Sequence, residues 1–194
     1  KEPADEGSIV WAKRATVGYL DQHSVLEKGQ TIRDVLRTAF DEMYKMEADM
    51  LEMYNKMGDC TDEEMTQLME DVGDIQDILD HSGFYTIDSK IEEYSNGLGL
   101  GEIGLDRDVS ELSGGQRTKV LLTKLLLQNP TILILDEPTA VLTPQETEQL
   151  FEQLIQFKNM GHTIVFISHK LNEVKQISDR ISVIGLGESK GTYD

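Results

Sequence analysis

The sequence predicts an α/β fold with a parallel-rich sheet, a helical subdomain and an inserted antiparallel helical hairpin. Three observations carry this. Two apolar runs, Ile132-Leu133-Ile134-Leu135 and residues 163 to 168, each end in residues able to do chemistry, Asp136-Glu137 and His169. Such runs suit strands buried on both faces, as in a parallel sheet, and ligands in open α/β folds bind at the carboxyl ends of those strands. A Ser113-Gly114-Gly115-Gln116 turn opens a helical stretch that reaches Gln128. Finally, residues 31 to 82 keep a helical apolar period on both sides of a break at Gly58-Asp59-Cys60.

The elements follow in order. Residues 8 to 11 and 16 to 20 read as strands joined by a charged turn, because β-branched and aromatic side chains favour extension. Between Gln22 and Leu112 lie 89 residues. From 31 to 57 one helix face carries Ile32, Val35, Leu36, Ala39 and Phe40, then Met43, Met46, Met50, Met53 and Met57. The methionines step by 3, 4, 3 and 4, which is a heptad seam. Thr61 and Glu64 are spaced as a capping box, and Met65, Leu68, Met69, Val72, Ile75 and Leu79 continue as a second amphipathic helix. So short a connection between two helices predicts an antiparallel pair. Seven of the 8 methionines lie here, and the seam reads as an adaptable core rather than a ligand face. The outer faces are acidic: residues 41 to 80 hold 14 Asp or Glu against Lys45 and Lys56, a balance of −12. Further on, Thr143 caps a helix, Pro144 takes its first position and Gly161 lies just past its end.

Composition bounds the class. The 194 residues suffice for one domain, or one domain with an insertion. No apolar stretch approaches the length of a bilayer span, and no charged-then-apolar leader opens the chain. Cys60 is the only cysteine, which excludes an internal disulfide and fits a reducing cytoplasm. The net charge of −18 disfavours nucleic-acid phosphates except where basic residues cluster. His23, His81 and His162 lie in polar contexts and read as ordinary surface residues.

The chemistry lies in the order of the motifs. A Ser-Gly-Gly turn at a helix start offers backbone N–H groups and the positive end of the helix dipole to an anion, and glycine allows close approach. Leu112-Ser113-Gly114-Gly115-Gln116, then Asp136-Glu137-Pro138-Thr139, then Ile167-Ser168-His169 resembles the ATP-binding cassette (ABC) ATPases, which implies a P-loop NTPase-like fold, ATP and Mg²⁺. The resemblance implies that Asp136 would hold Mg²⁺ through water, Glu137 would orient or deprotonate the attacking water and His169 would reach the γ-phosphate. In that resemblance Val17-Gly18-Tyr19-Leu20-Asp21-Gln22 is similar to the family's glutamine loop, where Gln22 would meet the metal and the attacking water. Ser113, Gly114, Gly115 and Gln116 would act in trans, on nucleotide held by a second cassette. The G-x-x-x-x-G-K-[ST] phosphate loop is not in the sequence, and the first residues resemble the segment that follows it, so the chain reads as a truncated cassette, inactive alone.

The resemblance then divides. Residues 7 to 139 look like the first cassette of the F subfamily, which carries an inserted arm, has two cassettes per chain and in many members acts on the ribosome. Beyond Thr139 that subfamily would continue Asn-His-Leu-Asp, whereas here stand Ala140-Val141-Leu142-Thr143. Residues 140 to 194 are instead similar to sugar and nucleoside importer ATPases, whose partner is a membrane permease. The implied division is a partial core with the glutamine loop over residues 1–30, an arm-like hairpin over 31–82, and the signature helix with the rest of the core over 83–194. Three classes stay open: a translation-associated ATPase, the ATPase subunit of an importer, and a non-catalytic fragment or chimera.

Overall fold

The computed structural model describes residues 10, 12–20, 26–185 and 187–193. The chain divides into two compact units, residues 1–22 with 129–194, and residues 23–128.

In the first unit, β1 (Val17–Tyr19), β2 (Ile132–Asp136) and β3 (Thr163–Ile167) form a parallel sheet in the order β1-β2-β3. Parallel neighbours need a long crossover, and α6 (Pro144–Asn159) supplies it between β2 and β3. Five α-helices among the described residues precede it in the chain, all of them in the second unit. Helix α6 starts as its sequence dictates: the Thr143 side chain accepts from the Glu146 N–H, Glu146 returns the bond, and Pro144 sits in the first turn. Gly161 follows its end with φ +98°. Leu150, Leu154, Leu133 and Leu135 are fully buried, and Phe151 meets Phe166 edge-on at 5.7 Å. Val17, Tyr19, Val165 and Ile167 alternate with the buried positions and remain 38% to 46% exposed. The expected burial on both faces therefore holds on one face only. Gly18 faces Leu133 in the register, and a Cβ there would lie 2.9 Å from Pro130 Cγ.

The strand expected over residues 8 to 11 falls outside the described residues except for Val10, which is in no strand. After β3 come α7 (Leu171–Ile177) and an antiparallel pair, β4 (Ile181–Gly185) and β5 (Glu188–Tyr193). The polar residues of β5 show no apolar alternation, so the sequence does not predict this pair.

The second unit is helical: α1 (Ile32–Arg37), α2 (Asp41–Lys56), α3 (Asp62–Ser82), α4 (Ile87–Gly97) and α5 (Gly114–Leu127). The single helix expected from 31 to 57 is interrupted by a 3₁₀ turn over Thr38–Phe40. There the Thr38 hydroxyl donates to the Val35 carbonyl at 2.6 Å, and Phe40 leaves helical geometry with φ −119° and ψ 17°. Helices α2 and α3 pack together as a hairpin, and the capping box at Thr61 and Glu64 is formed. The chain leaves α3 through Gly83, whose φ of +74° is left-handed, as a helix end favours. Met50 and Val72 belong to the same buried cluster as Ile32, Phe40 and Val120, so the methionine seam is continuous with the core of this unit. Among the described residues no helix is long and apolar enough to cross a membrane.

Candidate functional site

Strand β2 delivers Asp136 at its last position, and the next residue is strained. Glu137 has φ +47°, a left-handed conformation that a side-chain-bearing residue rarely adopts; it costs roughly 1–2 kcal/mol. Its N–H donates to the Ile167 carbonyl at 2.9 Å, which ties the turn to β3. Glu137 Oε1 accepts from the His169 backbone N–H at 3.0 Å and lies 2.7 Å from His169 Nδ1. An ionised carboxylate can only accept, so in that contact Nδ1 is the donor. The other oxygen, Glu137 Oε2, is buried and has no hydrogen-bond partner. Buried polar atoms are nearly always paired, so Oε2 is the acceptor of this carboxylate that the described residues leave unused.

A second cluster braces the same two strand ends. Thr139 is fully buried, and its hydroxyl donates to Glu173 Oε2 at 2.6 Å. Lys170 Nζ donates to the Thr139 carbonyl at 3.2 Å, to Thr139 Oγ1 at 3.2 Å and to Glu173 Oε1 at 3.0 Å. The sequence reading missed Thr139, Lys170 and Glu173 as functional candidates. Lys170 and Glu173 look there like an ordinary i,i+3 surface pair, and the one signal was their place directly after His169.

The signature turn is preorganised by its own side chains. The Ser113 hydroxyl accepts from the Gln116 N–H at 3.3 Å, and Gln116 Oε1 accepts from the Ser113 N–H at 2.9 Å. The Ser113 hydroxyl proton is not used in that cap. The first intrahelical bond runs from the Arg117 N–H to the Ser113 carbonyl at 2.9 Å. Gly114 and Gly115, at the first two helical positions, thus sit where backbone N–H groups have no intrahelical acceptor. A Cβ on Gly114 would meet nothing within 4 Å.

A family model described as ABC transporter matches residues 1–140. The chain belongs to the ABC transporter family, as an ATPase domain. It is 52% identical over 180 residues to the uncharacterized ABC transporter ATP-binding protein YfmM of Bacillus subtilis, covering 91% of this chain and 35% of that protein. It is 28% identical over 193 residues to the energy-dependent translational throttle protein EttA of Mycobacterium tuberculosis, covering 97% of this chain and 33% of that one. It is also 44% identical over 87 residues, 45% of this chain and 17% of the relative, to the ribose import ATP-binding protein RbsA of Chromobacterium violaceum. The chain thus spans about a third of the length of the first two relatives. A match to 91% of the chain necessarily runs through Ala140, where the two sequence patterns meet. A solved structure of the ATP binding subunit of an ABC transporter superposes with a TM-score of 0.63 at 18% identity, over 92% of this chain and 58% of that one. The parallel sheet with its helices is therefore the ABC ATPase fold.

Within this ABC domain, Asp136, Glu137 and His169 belong to the sheet unit, and Glu137 and His169 touch. Ser113, Gly114, Gly115 and Gln116 belong to the helical unit. Gln22 lies outside the described residues. The family implies ATP with Mg²⁺, and Asp136 at the end of β2 is a carboxylate of the kind that holds this ion. Among the described residues no three His, Cys, Asp or Glu side chains gather as a metal cage. Mg²⁺ does not require one, since it is held by one or two carboxylates, waters and phosphate oxygens. His162 differs from its expectation as a surface residue: it is half-buried, stacked on Phe157 at 3.9 Å, with Nδ1 2.8 Å from the Pro130 carbonyl oxygen.

Proposed function

We propose that this chain is part of an ATP-hydrolysing cassette in which Glu137 is the general base. The observation that carries the reading is the buried, unpaired Glu137 Oε2 beside an exposed histidine. Oε1 stays bound to His169 and fixes the carboxylate plane, and Oε2 is the oxygen left to take a proton from an attacking water. Asp136, with Gln22, would hold Mg²⁺ through water. The ion would supply neutralisation of the phosphate charge there. His169, its Nδ1 committed to Glu137, would turn Nε2 to the γ-phosphate.

The signature acts in trans. Ser113, Gly114, Gly115 and Gln116 would grip ATP held by a second cassette, from the same full-length chain or from a dimer partner. Among the described residues nothing outside its own helix turn lies within 4 Å of a Cβ built on Gly114, which is compatible with a ligand from outside. Close approach of a phosphate to backbone N–H groups is what glycine permits.

For the whole protein, the reading is a translation-associated ATPase of the F type, with the arm in residues 31–82 between the core segments 1–30 and 83–194. It is supported by the inserted hairpin and by the match to EttA over 97% of the chain. With a local balance of −12 the hairpin's outer faces repel RNA, so a ribosomal contact would run through basic protein or through a restricted tip. In this reading the protein works in the cytoplasm. The test is co-sedimentation of the full-length protein with ribosomes in non-hydrolysable ATP, with and without residues 52–70 replaced by a short glycine linker. That deletion keeps Met50 and Val72, which the helical core needs. Loss of sedimentation on deletion supports the arm's role, and equal sedimentation rejects it. The second reading, an importer ATPase with a membrane permease as partner, is favoured by residues 140–194 and by the 44% identity to RbsA. Neither form sedimenting, beside binding to a permease, selects it.

A further inference from the structure

We propose that Thr139, Lys170 and Glu173 form a positioning latch that holds Glu137 and His169 in register for hydrolysis, an inference that rests on the ATPase reading above. The two reacting groups stand at the ends of neighbouring strands, and Glu137 sits in a left-handed turn. A strained residue persists only where its surroundings over-determine it. The direct Glu137–His169 contact is a weak clamp by itself, because the His169 side chain is 78% exposed.

The latch adds a side-chain constraint to the backbone bonds of Glu137 and His169, at the nearest positions the chain offers. Thr139 is two residues beyond Glu137, and Lys170 is the residue after His169. Three acceptors, the Thr139 carbonyl, Thr139 Oγ1 and Glu173 Oε1, match the three donors of the Lys170 ammonium. The Thr139 hydroxyl spends its own proton on Glu173 Oε2. Both Glu173 oxygens are thereby engaged, and the carboxylate side chain is only 16% exposed. The network therefore bolts the turn after β2 to the start of α7 through charge-assisted bonds, the stronger kind. None of the three side chains touches the reacting atoms; each acts through the backbone that carries Glu137 and His169.

The experiment uses the full-length protein with Thr139→Val, which keeps the shape and deletes the hydroxyl, Thr139→Ser, which keeps the hydroxyl, and Lys170→Met, a partly exposed position that tolerates change. In the valine and methionine variants kcat for ATP should fall at least tenfold with KM within twofold. Hydrogen exchange of the His169 amide, which donates to Glu137 Oε1, should speed up by a similar factor. The serine variant should return both readouts to within about threefold of the wild type. Unchanged kcat or unchanged His169 exchange in both Thr139→Val and Lys170→Met overturns the latch, as does a serine variant as impaired as the valine. A wild-type protein that does not hydrolyse ATP overturns the ATPase reading instead, and His169 exchange then still decides whether the latch holds the turn.

Discussion

Glu137 shows how a single residue joins strain to chemistry. Its φ of +47° turns the side chain back onto β3, where one oxygen is satisfied twice by His169 and the other is left buried and unpaired. The identity of both residues was legible, since Asp136-Glu137 and His169 end apolar runs in the right order. The strain was not, because nothing in a Leu-Asp-Glu-Pro-Thr string announces a left-handed glutamate. The same holds for Thr139: a threonine reads as polar surface until the sheet buries it against Glu173. Gly18 offers a residue-scale test of the packing. A Cβ there would press on Pro130 Cγ at 2.9 Å and Leu133 Cδ1 at 3.3 Å, so Gly18→Ala should destabilise the sheet unit by about 1–3 kcal/mol. Denaturant unfolding monitored on that unit checks it, and an unchanged midpoint would mean the proline ring yields freely.

Elements were read from caps and periods, and they succeed where local chemistry decides. The boxes at Thr61 and Thr143 set the starts of α3 and α6 because a threonine followed three residues later by glutamate satisfies the first free N–H groups reciprocally. The break at Thr38–Phe40 was illegible, since apolar residues continue through it at helical spacing and the Thr38 hydroxyl bond depends on the fold. Caps also make a pH prediction. Backbone and then side-chain hydrogen bonds from Thr61 hold the Glu64 carboxyl below the ordinary glutamate value of 4.5. A depressed folded pKa means stability that is present above the unfolded value and is lost as pH falls through the folded one. Wild type should therefore exceed Glu64→Gln in unfolding midpoint at pH 7, and the two should converge on acidification below 4.5. A gap that stays constant down to acid pH would show that the charge on Glu64 contributes nothing.

At the scale of the molecule, the charge is −18 and the phosphate-loop motif G-x-x-x-x-G-K-[ST] is not among the 194 residues. Each charge-assisted bond to phosphate is worth roughly 1.5–3 kcal/mol, so a polypeptide of these residues alone should bind Mg-ATP no tighter than about millimolar. Calorimetry checks this, and micromolar affinity would reveal another phosphate site. The central claim, that Glu137 is the base of an ATP-hydrolysing cassette, is tested most directly by phosphate release from the full-length protein and its Glu137→Gln variant. The amide keeps the shape and loses the proton acceptor. Hydrolysis should fall by roughly 10²–10⁴-fold while bound ATP and nucleotide-dependent association of cassettes persist; turnover equal to the wild type would contradict the account.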